Sequence, residues 1–376
     1  YNDRVDVCAP VGDENADFNE NVGPNGRNDR GADCMTTAYY NNPADIFGDS
    51  TTLDVHGYAT TALKTSGATA QVSGLAALLV SFYPRSRYQE MFPDSTAASS
   101  YANFIEREIE RGCVALPNEP LYVQGLLGAG RIDAFRSLTQ WGSITQDAIW
   151  NERVYVSGDV RIEEGATLTI LPGTTVYFTS EDDGDLGIAS SRVAIWVRGT
   201  LNANGTAENP IVFKSWAEDA LPGDWYGIWY KGENASGSLS HCVIQDAKYG
   251  VSSAVTIEME DCEIANSLVA GIYLYDDLDS TCVVNNSSVI RKCTIQHDYL
   301  YNDASGMRIW NCPDTVTVDS CVVSGHGNGI WVSNACPIIE RSELFNNGGD
   351  GIWVTSYRYP SPIPYPVINW CRLHGN

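Results

Sequence analysis

Residues 329–354 read GIWVSNACPIIERSELFNNGGDGIWV, and the stretch carries the triplet Gly-Ile-Trp twice, 22 residues apart. The triplet belongs to a longer ladder. Gly227-Ile228-Trp229 recurs as Gly250-Val251-Ser252, Gly271-Ile272-Tyr273, Gly306-Met307-Arg308, Gly329-Ile330-Trp331 and Gly351-Ile352-Trp353, at steps of 23, 21, 35, 23 and 22 residues. A second ladder runs out of phase with it: Cys242-Val-Ile244, Cys262-Glu-Ile264, Cys293-Thr-Ile295, Cys321-Val-Val323, Ser342-Glu-Leu344 and Cys371-Arg-Leu373. Between them lie short β-rich segments and Gly, Asn and Asp turns, with no helical period from about residue 141 onward. A repeat of this length without a helix specifies a β-solenoid. One rung cannot bury its own apolar face, so rungs must stack.

Strand alternation then sorts the side chains. In the second ladder the Cys and the aliphatic residue two positions later share a face, and the residue between them is mostly polar. The Cys column therefore points inward, as small buried thiols. Stacked rungs lie about 4.8 Å apart, inside the Cα range that a disulfide needs, so rung-to-rung disulfides remain open. In the first ladder the residue after Gly points inward and the next points out. The outward column is Trp229, Ser252, Tyr273, Arg308, Trp331 and Trp353, and Tyr275 and Trp310, two residues further along, face out as well. Exposed aromatics on a sheet mark a contact surface. They are candidates for stacking sugar rings or a partner surface, unless the long rung 276–304 or the Pro-rich segment YRYPSPIPYP (357–366) folds over them.

Two further phrases, VYVSGDVRIEEGATLTILPGTTVYF (154–178) and VRGTLNANGTAENPIVFKS (197–215), resemble the opening rungs of right-handed parallel β-helix modules of secreted bacterial proteins. The resemblance covers about 141–376. It implies the fold and leaves activity open, because such helices serve lyases, hydrolases, adhesins and passive stalks.

Residues 1–140 have another texture. RVDVCAP (4–10) reads as a short strand, and 11–50 as a long polar loop or insertion. Residues 66–82 form a helix apolar on nearly all sides, which predicts burial. Residues 99–112 form an amphipathic helix, and GAGRIDAFRSL (128–138) a turn and a further helix. In TSGATAQVSGLAALLV (65–80), Ser66 stands at the start of a helix, where a hydroxyl is commonly a cap. Yet Thr65, Ser66, Ala68, Val72, Gly74, Ala76, Ala77 and Leu78 match the nucleophile motif of subtilisin-like serine proteases, G-T-S-x-A-x-P-x-V-x-G-x-A-A-L. Lys64, Ala70 and Gln71 depart from it. VDVCAP (5–10) resembles that family's V-D-V-x-A-P strand, and GAGRIDAFRSL its closing G-x-G-x-(V/I)-(D/N)-A helix. The resemblance implies Ser66 as nucleophile, held at a helix N-terminus whose N–H groups help to hold an oxyanion. It places the His base, the orienting Asp and the oxyanion Asn upstream of Tyr1. His56 reads as a loop residue and Asp6 as a strand or turn carboxylate.

The chain is acidic, with a formal net charge of −24 over 376 residues. That disfavours nucleic acid and anionic membranes, which call for clustered Lys and Arg. No apolar run is long enough to span a membrane. The eleven Cys residues form no C-x-x-C, and the five His residues are scattered, so zinc-site spacing is absent. The insertion DENADFNENVGPNGRNDRGAD (13–33) offers oxygens suited to Ca²⁺, with Asp13 and Asp17 as candidate ligands, but it lacks EF-hand spacing. The absence of an initiator Met and of a leader reads as an interior stretch of a longer protein.

The expectation is a multidomain chain. A partial α/β subtilisin-like domain (1–140) precedes an all-β right-handed parallel β-helix (141–376). The expected function is a secreted, extracellular serine endopeptidase. It acts on protein or peptide substrate through an acyl-enzyme on Ser66, needs no cofactor, and uses the β-helix as spacer or targeting module. Two alternatives stand beside it. In one the peptidase is degenerate and the β-helix is an adhesive or carbohydrate-binding stalk. In the other the β-helix is a polysaccharide lyase or glycosidase, with Asp276, Asp277 and Asp279 as carboxylate candidates.

Overall fold

The structure is a computed structural model that describes residues 37–38, 58–59, 65–93, 98–115, 129–182, 191–276, 287–312, 315–355 and 366–376. The chain divides into two compact units, 1–138 and 139–376. The strand expected at 4–10 and the insertion at 13–33 lie outside the described residues.

In the first unit, helices α1 (Thr65–Phe82), α2 (Arg85–Met91), α3 (Ala98–Arg111) and α4 (Ala134–Leu138) accompany a short antiparallel pair, Thr37–Ala38 with Tyr58–Ala59. Leu75 and Leu79 on α1 are four residues apart and buried, and Tyr83 just beyond the helix continues the line. Tyr83 meets Phe104 of α3 edge to face at 5.1 Å, and the Tyr101 hydroxyl donates to the Tyr83 carbonyl at 2.6 Å. Asp133 accepts the Arg136 N–H at 3.0 Å and so caps α4. The burial expected around all of α1 is corrected here: Leu78 is 53% exposed and Val80 45%. The packing recorded among the described helices, from α3 and α4, meets α1 while Leu78 and Val80, on either flank of the buried Leu75–Leu79 line, stay exposed.

The second unit is a parallel β-helix whose rungs each pass through three faces. The first face is a nine-stranded parallel sheet, from Ala148–Trp150 to Val367–Asn369. The second and third faces share one fifteen-stranded sheet. They are joined because Arg153–Ile162, Thr294–Trp310 and Val322–Ser333 run unbroken round the corner between them.

The inward residues form aliphatic columns in register. Ile228, Val251, Ile272, Met307 and Ile330 line the third face, and Phe213, Ile244, Ile264, Ile295, Val323 and Leu344 the second. All are buried, each worth about 1.5–3 kcal/mol of apolar transfer. Cys242, Cys262, Cys293, Cys321 and Ser342 are buried beside them, and Cys371 is half-buried on the last described rung. The column thiols are free, so the rung-to-rung disulfides left open by the sequence are not formed. They satisfy themselves on carbonyls instead, as Cys242 does on Ala203 at 3.2 Å. Neighbouring thiols and burial push the Cys293 thiol up to about 12, which leaves it without thiolate character at neutral pH.

A single left-handed residue turns the chain from the first face to the second on six successive rungs. His241, Asp261, Lys292, Ser320, Arg341 and Trp370 have φ between 47° and 56°, and each directly precedes its Cys or Ser. Non-glycine residues adopt this conformation at a cost; the repeated bend requires it.

Candidate functional site

The outward positions of the third face are aligned by the strand register. Ser143, Arg161, Trp196, Trp229, Ser252, Tyr273, Arg308, Trp331 and Trp353 form one continuous column, each paired with the next. Tyr275 and Trp310 form a second, shorter column two residues along. The aromatic members are half-buried. Trp196 and Trp229 stack at 5.7 Å with planes 24° apart, and Trp331 and Trp353 at 4.7 Å with planes 25° apart. Within each pair the rings overlap as shingles do along the column, and each ring keeps part of its surface exposed. Trp310 meets Trp331 edge to face at 5.3 Å. Of the loops weighed as covers, 277–286 and 356–365 lie outside the described residues, while the remainder of 276–304 goes mainly into the rung strands Val289–Arg291 and Thr294–Trp310.

Ser252 needs a correction. It holds its outward place in the register but is 3% exposed. Larger neighbours close over a small residue: the Trp229 Nε1–H donates to the Tyr275 hydroxyl at 2.6 Å, bridging the rungs on either side of Ser252. Tyr249 stacks on Tyr273 at 5.6 Å, and Tyr273 on Tyr275 at 4.8 Å. Burial, with Tyr249 and Tyr273 beside it, pushes the Tyr226 hydroxyl up to about 12. Tyr226 stays a neutral donor and acceptor at physiological pH.

Cations decorate the lane. Arg161 and Arg198 lie over Trp196 at 5.6 and 5.7 Å, Lys231 over Trp229 at 5.3 Å, Lys248 over Tyr226 at 5.3 Å, and Arg308 over Trp331 at 5.1 Å. The nine positions of the column hold no Asp or Glu, in a chain with 47 of them. Acid borders the column at one end, where Glu163 accepts from Ser143 and Arg161. Burial alone would raise the Glu163 carboxyl, but these hydrogen bonds and the charges of Arg161 and Arg198 hold it below its ordinary value. The first face is arranged otherwise. There Glu260, Arg291, Asp319 and Glu340 stand in register with alternating or paired charge.

The structure thus brings together Trp229, Tyr273, Tyr275, Trp310, Trp331 and Trp353, read from the ladder. It adds Trp196 and Arg161, which the ladder missed because Ala194-Ile195-Trp196 and Asp159-Val160-Arg161 carry Ala and Asp where the ladder triplets carry Gly. Tyr226 and Tyr249 precede the ladder glycines by one residue, and a search keyed on the residue after Gly passes them by.

Ser66 falls in the first turn of α1. His56, Asp6 and the Ca²⁺ candidates Asp13 and Asp17 lie outside the described residues. Of the carboxylates weighed for a lyase or glycosidase, Asp276 follows the strand Ala270–Tyr275, while Asp277 and Asp279 are not described. Among the described residues no group of three or more His, Cys, Asp or Glu is placed to hold a metal ion, and no helix is long and apolar enough to cross a membrane.

Comparison with protein families matches residues 142–255 to a pectate-lyase-like β-helix domain and residues 225–337 to a right-handed β-helix region. Comparison with curated proteins and with solved structures returns no match.

Proposed function

We propose that the unit 139–376 binds an extended acidic polysaccharide along its third face. One observation carries the reading: an acid-free column of shingled aromatics and cations on one face of a strongly acidic chain. Partly uncovered aromatic faces accept the C–H faces of sugar rings, and Lys231, Lys248 and Arg308 supply charge for carboxylates. The column repeats every rung, about 4.8 Å, which suits a chain lying along the axis. The match to a pectate-lyase-like domain supports an acidic glycan as ligand class. Carrying Trp331→Ala and Trp353→Ala together is expected to weaken binding of an oligogalacturonate by at least about tenfold, the loss of roughly 1.4 kcal/mol. The unfolding midpoint should change little, since both rings are half-exposed. A large fall in stability with unchanged affinity would show that the rings serve packing alone.

A second reading concerns the first unit. The resemblance at 64–78, with Ser66 in the first turn of α1, supports acyl transfer through Ser66 in an extracellular serine peptidase. Gly130, in the G-x-G-x-I-D-A phrase, has φ +125° and a Cβ there would meet the Val114 carbonyl, so glycine is needed at that place. A hydroxyl without its base is a weak nucleophile. A fluorophosphonate probe is therefore expected to leave this chain unlabelled and to label Ser66 in a form carrying the His and Asp that the resemblance places upstream. Labelling of this chain at Ser66 would show the base to lie within it, and an unlabelled longer form would favour a degenerate peptidase.

A further inference from the structure

A second aromatic cluster lies on the second face. Tyr155, Tyr177 and Lys214 occupy one outward column on three successive rungs. Trp216 follows Lys214 by two residues, on the same side by alternation, and is 42% exposed. Tyr155 stacks on Tyr177 at 5.1 Å with planes 16° apart, Trp216 lies 4.7 Å from Tyr155, and the Lys214 ammonium lies 5.3 Å from the Tyr177 centroid. Two carboxylates stand at the edge. Asp224 accepts from the Ser215 hydroxyl at 2.7 Å and from the Leu221 N–H at 3.1 Å. Asp246 is hydrogen-bonded by the Ser215 backbone and lies within electrostatic reach of Asp224 and Lys214.

Packing covers Trp216 only in part. The indole that serves the core here is Trp225, fully buried and stacked face to face on Phe178 at 3.9 Å. Trp216 keeps two-fifths of its surface in water beside a stacked tyrosine pair, with the Lys214 ammonium over that pair and two carboxylates gathered on the adjoining Ser215. That is the mixture a sugar ring needs: a flat apolar surface for its C–H face, acceptors for its hydroxyls and one donor. The charge differs from that of the third face. Two carboxylates repel a uronate, whereas a neutral ring meets no such penalty.

We propose that Trp216, Tyr155, Tyr177, Lys214, Asp224 and Asp246 form a subsite for a neutral pyranose unit of a glycan. The site lies on another face and takes a ligand of another charge, so it stands or falls separately from the acidic-polysaccharide lane. The protein is titrated with cellohexaose, xylohexaose and mannohexaose, and with an oligogalacturonate hexamer in parallel. The wild type is expected to bind at least one neutral hexasaccharide. Trp216→Ala should weaken that binding by at least about tenfold and Trp216→Phe by no more than a few-fold. Trp370→Ala, at another exposed indole, should leave it unchanged, and Trp216→Ala should leave oligogalacturonate binding unchanged. Failure of all three neutral probes to bind at millimolar concentration overturns the proposal. So does wild-type affinity in Trp216→Ala, or an equal loss in Trp370→Ala.

Discussion

Lowering the pH from 7 to 5 is expected to cost the β-helix about 2 kcal/mol of stability through one buried residue, His326. Its ring is fully buried, and neither ring nitrogen has a hydrogen-bond partner. Burial, and then the neighbouring His297 ring 5.8 Å away, depress its pKa from 6.5 to about 3. The unfolded chain takes up its proton near pH 6.5, while the folded one resists until about pH 3. The contribution is therefore complete above pH 6.5 and drains away as pH falls towards 3, where the accumulated loss is of order 4–5 kcal/mol. The carboxylates held low in the fold, Asp319 beside Arg341 and Glu343 beside His374, add their own loss below their ordinary carboxylate range, and comparison with His326→Leu separates the His326 share from that of the other titrating groups. Urea unfolding across that interval should show the slope in the wild type and a much flatter profile in His326→Leu. At neutral pH the variant should be no less stable, because it removes two buried polar atoms without partners. An unchanged slope in His326→Leu would assign the acid sensitivity elsewhere.

Trp225→Ala is expected to destabilise the second unit by about 3–5 kcal/mol, the range for emptying an aromatic site in a packed core. Trp225 is fully buried, its ring lies parallel to Phe178 at 3.9 Å, and its Nε1–H donates to the Gln245 carbonyl at 2.7 Å. The substitution leaves a cavity and an acceptor without its donor. It also strikes the corner that leads into Gly227–Tyr230, the strand that carries Trp229. Gly227 there has φ +128° and its missing Cβ faces the Tyr249 carbonyl, so that corner has little freedom to relax. Chemical denaturation followed by circular dichroism measures the loss. A change below about 1 kcal/mol would mean that the corner repacks, contrary to this account.

Much of the second unit is legible in the sequence because its signal is periodic. The Gly and Cys ladders fix which residue of each rung points in, and the aliphatic columns from Ile228 to Ile330 follow from alternation alone. The corner residues are not legible. His241, Asp261, Lys292, Ser320, Arg341 and Trp370 share a backbone conformation and no side-chain chemistry. Trp196 was missed through one Ala-for-Gly exchange. The Tyr155–Trp216 contact joins residues far apart in the chain, and no repeat announces it. On α1 the composition predicted burial that the structure gives to only one side, since an apolar helix states that it can be covered and not which neighbour covers it.

Hydroxyl-radical footprinting of the protein with and without a saturating oligogalacturonate tests the central claim most directly, because it reports the bound face without altering a residue. Protection is predicted at Trp196, Trp229, Tyr273, Trp331 and Trp353, the rings of one column. The exposed Trp370 on the last described rung should remain as reactive as before. Protection confined to the first face, or oxidation unchanged along the third-face column while the ligand is bound, would contradict the account.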